Sequence, residues 1–249
     1  MSQNVITLYD IPSNTPQPWA PNIWRIRFIL NYKRLPYRTV WIELSDVENT
    51  LRSIGAQPAS MRSDGQPVYS LPVIIDPLRP NTQTVVLSRV EKIVEYLEST
   101  YPARPIFPEG SRALQILFVH WIHEVLTKPL LPILVPLSHQ RLPERSQAHF
   151  TAASGHPQLG PQDRELAWRA AKDQFAFLAS VMDKNRGDIA ADGIVVMGRN
   201  VSYADFALCS VLIWIEQVAP RDGWARVRTW NDGRWDSLKA RCRDFMDVY

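Results

Sequence analysis

Residues 69–76 of this 249-residue chain read Tyr-Ser-Leu-Pro-Val-Ile-Ile-Asp, a proline directly before a β-branched run. Proline cannot donate to a ladder, so in a strand it belongs at the first residue. A Leu71-Pro72 step there is a candidate cis peptide, a fixed and tight backbone shape. Other groups capable of chemistry are scattered. His120-x-x-His123-Glu124 sets two imidazoles on adjacent helical positions, but no third ligand is apparent and HExxH is absent. No metal is expected, and both histidines read as packing or surface groups. Cys209 lies in an apolar run and Cys242 near the end of the sequence, outside any CxxC or zinc pattern. Two such thiols suit a reducing compartment, with a single disulfide left open. GxSxG, Walker and GxGxxG motifs do not occur.

The elements that must position these groups fall into two halves. Val5 to Tyr9 reads as a strand, followed by a proline-rich insertion from Pro12 to Pro18. Pro21 suits the first turn of a helix running to Tyr32, buried over much of its surface. Tyr37 to Ile42 is a second strand, and Ser45 to Ile54 a weaker helix with Ser45 and Glu48 at capping-box spacing. Residues 55–66 read as a loop. Pro72–Asp76 and Thr84–Leu87 are strands joined by a Pro/Asn turn at Pro77, Pro80 and Asn81. Ser88-Arg89-Val90-Glu91 reads as a second capping box, opening a helix through Leu97. The order is β-α-β-α-β-β-α over residues 1–101. A linker punctuated by Pro102, Pro105, Pro108 and Gly110 covers 102–110. From 111 to 249 only helical periodicity is found: Ala113–Leu126, a stretch broken by Pro129, Pro132 and Pro136, Leu166–Met182, Tyr203–Val218 and Trp235–Val248.

Bulk properties exclude several classes. Twenty-eight Lys+Arg against 25 Asp+Glu leave a net charge of +3, too weak and dispersed for a nucleic-acid or anionic-membrane surface. No apolar run approaches the ~20 residues that span a bilayer. The N-terminus carries no secretory pattern, so the cytoplasm is the expected location.

With these residues in view, the chain resembles a glutathione transferase over essentially its whole length. Leu71-Pro72 matches the cis-proline dipeptide of the thioredoxin-like glutathione domain, and Ser202-x-x-Asp205 the N-capping box of the buried helix in the all-α domain. More narrowly, Leu8-Tyr9-Asp10-Ile11-Pro12, Trp19-x-Pro21-Asn22, Leu30-Asn31-Tyr32-Lys33 and Leu35-Pro36-Tyr37 resemble the etherase-like FuA class of wood-decay fungi. The resemblance implies a thioredoxin-like domain followed by an all-helical one, a homodimer, glutathione as cosubstrate and binding of plant phenolics.

The same resemblance exposes departures. The family holds glutathione as thiolate with a hydroxyl or thiol at the start of the first helix; here that position is Ala20. The helix macrodipole remains, worth ~0.3–1 kcal/mol, against ~1.5–3 kcal/mol for a hydrogen bond to a charged group. Its loss amounts to roughly one to two orders of magnitude in thiolate. The family's acid-Ser pair, which takes the γ-glutamyl group, falls at Arg89-Val90. A like-charge contact there costs ~4 kcal/mol at an effective dielectric of 20. Ser88 standing in for the missing serine, Arg89 taking a ligand carboxylate, and Arg89 facing solvent all stay open. Tyr9 and Asn22 are polar groups near the thiol position, Tyr9 reading as core-facing and Asn22 as a helix cap. Trp19, Trp24, Phe118, Trp121 and Ile122 are expected to flank an apolar cleft between the domains.

The leading expectation is thus a ligandin for hydrophobic aromatic compounds with weakened glutathione binding and no permanently bound cofactor. An active transferase using backbone donors, and a transferase-like partner-binding protein, are the alternatives.

Overall fold

The computed structural model describes residues 5–77, 84–153, 159–187 and 192–249. Its sheet is built from β1 (Ile6–Asp10), β2 (Tyr37–Trp41), β5 (Val73–Asp76) and β6 (Val85–Ser88), in the order β2-β1-β5-β6. β1 and β2 run parallel; β5 and β6 are antiparallel to their neighbours, with Tyr9 opposite Val73. The expected loop at 55–66 differs slightly: Ser60–Met61 (β3) and Pro67–Val68 (β4) form a two-stranded ribbon. The turn expected at Pro80 and Asn81 lies outside the described residues.

Helix α1 (Pro21–Tyr32) starts on Pro21 and is buried continuously from Ile23 to Leu30. It lies between the sheet with α3 (Val90–Thr100) on one side and α8 (Tyr203–Val218) on the other. Burial on all sides leaves its charged residues no route to water, so they need internal partners. Arg27 is fully buried and pairs with the equally buried Asp10 at 2.5 Å, with Thr39 as a further acceptor at 3.0 Å. Lys33, just past the helix, pairs with Glu98 at 2.6 Å and donates to the carbonyls of Tyr101 and Arg104. Glu98 also accepts from the Ile106 N–H. One buried pair therefore ties α1, α3 and the segment leading to α4 (Arg112–Trp121) together.

Two of the three capping boxes read from the sequence do not form. Ser45 lies inside a 3-10 turn (Leu44–Asp46) and Glu48 in α2 (Val47–Ser53), and among the described residues the buried Ser45 hydroxyl has no partner. The turn is held from outside instead. The Leu44 N–H donates to Ser146 Oγ, and Arg145 pairs with Asp46, both from α6 (Glu144–Ala153). Ser88 ends β6 rather than capping α3; its hydroxyl donates to the Gln57 carbonyl at 2.6 Å, and Arg89 precedes the helix with φ 73°. The third box forms. Asp205 is fully buried and accepts from the Ser202 N–H and hydroxyl and from the Val196 N–H, while burial pushes its carboxyl up to about 6.

The second half is helical among the described residues. α4 loosens into a wide π-type turn (Ile122–Leu126), and α5 (Leu131–Gln140) begins beyond the break, continuing through Pro136. Proline at that position removes one backbone bond without ending the helix. α6 carried no clear signal in the sequence. α7 (Pro161–Met182) starts five residues before the expected Leu166, at another N-terminal proline. A π-type turn (Pro220–Trp224) and the short α9 (Ala225–Val227) lead to α10 (Arg234–Arg241). α10 ends before the expected Val248, because the carbonyls of Phe245 and Asp247 accept from Asn31 and Tyr37 of the first half.

Removing one partner of a buried pair leaves an uncompensated charge and costs ~3–5 kcal/mol. Asp10→Ala is therefore expected to lower unfolding free energy by about that much, whereas Asp10→Leu with Arg27→Met costs far less. Urea denaturation of both variants tests this; equal losses would contradict it.

Candidate functional site

A cavity of about 560 Å³ opens where the start of α1 faces the helical half. Ile11, Trp19, Ala20, Pro21 and Asn22 form its first wall, from the turn after β1 into α1. Leu44 and Val47 close one edge, and Tyr69, Ser70 and Leu71 another. The peptide between Leu71 and Pro72 is cis. The opposite wall is helical: His123 and Thr127 from the π-type turn, Leu131 from α5, His149 from α6, and Val211 and Trp214 from α8. Trp214 donates its indole N–H to Ser138 Oγ at 2.7 Å, so its ring presents an apolar surface. Polar groups are few, which suits a flat apolar ligand more than a peptide with charged ends.

The helix start itself is bare. Ala20 precedes α1 in extended conformation with no side-chain cap. Its carbonyl accepts from the amides of Ile23 and Trp24. The positions matched to γ-glutamyl recognition lie elsewhere: Ser88 is engaged with Gln57, Val90 is buried in the core, and Arg89 is exposed and does not line the cavity.

Among the five residues expected to flank the cleft, Trp19 does so and Trp24, Phe118, Trp121 and Ile122 do not. Trp24 is fully buried and donates its indole N–H to the Pro18 carbonyl at 2.6 Å. Ile122 is fully buried in the core. Phe118 and Trp121 pack on each other at 6.0 Å, and Trp121 on Phe177 of α7 at 5.9 Å, on a different face of α4. The helical period gives several faces to α4, and the sequence does not say which one meets the cleft. Tyr9 packs beneath the sheet with Val47 and Leu51, where burial raises its phenol.

His123 is the residue that sequence reasoning undervalued. It lines both this cavity and a second one of about 350 Å³, bounded by Glu91, Phe107, Arg112 and Tyr203. Burial, with the Arg25 charge adding to it and Glu91 opposing, lowers the imidazole to about 4. An ionisable residue inside an apolar helical stretch was the signal available. Trp214 and Leu131 carried none, being apolar residues in apolar segments.

A thioredoxin-like sheet domain with a cis-proline, facing an all-helical domain across a mostly apolar cleft, defines the two-domain transferase class. Residues 18–105 match the glutathione S-transferase N-terminal domain, and residues 113–245 the C-terminal domain. The chain belongs to the glutathione transferase family. It is similar to the glutathione transferase GSTFuA3 of Phanerochaete chrysosporium, 34% identical over the whole of both chains with a TM-score of 0.87. The glutathione S-transferase CsGST63524 of Ceriporiopsis subvermispora, solved in complex with glutathione, is 34% identical over 99% of both chains, TM-score 0.86. The glutathione S-transferase-like protein ustS of Aspergillus flavus is 25% identical, over 95% of this chain and 89% of that protein. No helix of the described residues is long and apolar enough to cross a membrane.

Because the His123 value lies below the ordinary 6.5, the unfolded chain binds the extra proton between those two values. Stability should therefore fall as pH drops from about 6.5 toward 4. His123→Gln is expected to flatten that decline, measured as urea midpoints at pH 7 and pH 5. An unchanged difference between the two midpoints would mean that His123 is not held neutral.

Proposed function

We propose that this protein is a ligandin of the FuA type, binding hydrophobic aromatic and phenolic compounds in the cleft between Trp19 and Trp214, with glutathione a weak cosubstrate. The observation that carries this reading is the bare helix start: Ala20 offers no hydrogen bond where the family's thiol-holding group stands. The exposed Arg89 and buried Val90 add nothing that would take a γ-glutamyl group. The apolar character of the cleft supports the choice of ligand, and no permanent cofactor is assigned. By likeness to the family we assign it as a homodimer of the cytoplasm; the exposed Leu114 and Leu117 on α4 support a covered face.

A second reading, an active transferase acting through backbone donors, is favoured by one observation. Two similar fungal proteins, CsGST63524 and CsGST83044, 34% and 32% identical, were solved in complex with glutathione.

A thermal-shift titration with reduced glutathione beside a panel of plant phenolics separates the two. A ligand at 100 times its Kd stabilises by ~2.7 kcal/mol. A shift with phenolics and none with millimolar glutathione is the expected outcome; the reverse pattern favours the transferase. The triple variant Ala20→Ser, Arg89→Asp, Val90→Ser is expected to gain glutathione affinity by 10-fold or more. If it gains none, those three positions do not control glutathione binding.

A further inference from the structure

This inference rests on the reading of the cleft as the ligand site and concerns its end at the start of α1. The first turn of α1 has few free donors: Pro21 has no N–H, and the amides of Ile23 and Trp24 donate to Ala20 at 3.1 and 3.0 Å. Among the described residues the Asn22 N–H has no partner. The Asn22 side chain is exposed in the cleft wall, and its Oδ1 accepts from Arg25 Nη2 at 2.7 Å. Arginine carries donors only, so the amide oxygen must face it, and the NH2 end is left for a ligand.

Arg25 is unusual in its own right. It is 3% exposed, donates from Nη1 to the Tyr203 hydroxyl at 3.2 Å, and among the described residues its Nε has no partner. Among the described residues it makes no ion pair, unlike Arg27 two positions on, which has Asp10. Glu91 acts electrostatically on both His123 and Tyr203, but it is exposed and forms no pair with Arg25. Arginine is almost never fully buried unless paired, and an uncompensated cation in a medium of low dielectric favours an anion nearby.

We propose that Arg25 is a positioning residue that fixes the Asn22 amide and lends it uncompensated positive charge, so that the Asn22 N–H and Nδ2 hold the phenolate oxygen of an acidic phenol at the helix start. The ligand is then selected by acidity as well as by shape. Asn22 takes over, for a different anion, the position beside which Ala20 contributes no side-chain donor. No bond is made or broken; the phenol binds in its ionised form.

The test uses 4-nitrophenol, whose phenolate absorbs in the visible, titrated with pH in the presence and absence of the protein. The bound phenol is expected to ionise about 1–2 pH units below the free one, the 10- to 100-fold preference of one hydrogen bond to a charged group. Asn22→Asp keeps a partner for Arg25, so the fold survives, but it replaces the donor with an acceptor and should abolish or invert the shift. Arg25→Gln should shrink the shift, and Arg25→Lys should restore part of it. A merely structural arginine would leave the ionisation of the bound phenol unmoved in every variant that folds. Nitrophenol binding with unshifted ionisation, or an unchanged shift in Asn22→Asp, overturns this inference and leaves the ligandin reading standing. Failure of nitrophenol and of the whole phenolic panel to bind overturns both.

Discussion

Helix α1 is buried on every side, and much of the molecule follows from that. A helix with one wet face disposes of its charged residues there; this one has none to offer from Ile23 to Leu30. Each charged side chain in or beside it therefore had to be met inside. Asp10 at the end of β1 meets Arg27, and Glu98 on α3 meets Lys33. These pairs fix the distance of the helix from the sheet and from the segment that leads into the helical half. Desolvation makes such pairs weak sources of net stability. They act instead as registration points, since a shifted helix would strand a charge. Arg25 is the exception in the series, and it is the one next to the cleft.

The legibility of the fold in the sequence follows the strength of the local signals. Pro21 opening α1, Pro72 before β5, and Ser202 with Asp205 opening α8 are punctuation with a single physical meaning, and each stands in the structure as read. The boxes at Ser45 and Ser88 share the spacing but not the outcome. In both, a tertiary partner competes: Ser146 reaches in to hold the Leu44 turn, and the Gln57 carbonyl takes the Ser88 hydroxyl. Local patterns cannot report contacts made from 102 residues away, as at Leu44, or from 31, as at Ser88.

The cleft was legible on the side built from punctuated backbone and opaque on the side built from helices. Trp19, Ala20, Asn22 and Leu71 are fixed by the prolines near them. Which face of a helix meets the cleft depends on packing angles, which is why Trp24 of α1, Phe118 and Trp121 of α4, and Ile122 of the π-type turn were expected there and lie elsewhere. His123 sits where α4 widens into a π-type turn, and such a turn rotates subsequent side chains away from the face that periodicity assigns.

The stretch that follows α10 has a bearing on how the molecule is made. β2 is an outer strand of the sheet, and the Thr39 N–H donates to the Tyr249 carbonyl at 2.6 Å, with the Tyr249 ring edge-on to Tyr37. An uncovered strand edge is a template for pairing with a stranger. Tyr37 and the Asp247 carbonyl that it donates to are separated by 210 residues, so a nascent chain emerging from the ribosome presents this border bare until nearly all of the helical half has followed it. The first half is thus finished last, and the interval of greatest stickiness is set by the time taken to synthesise the second.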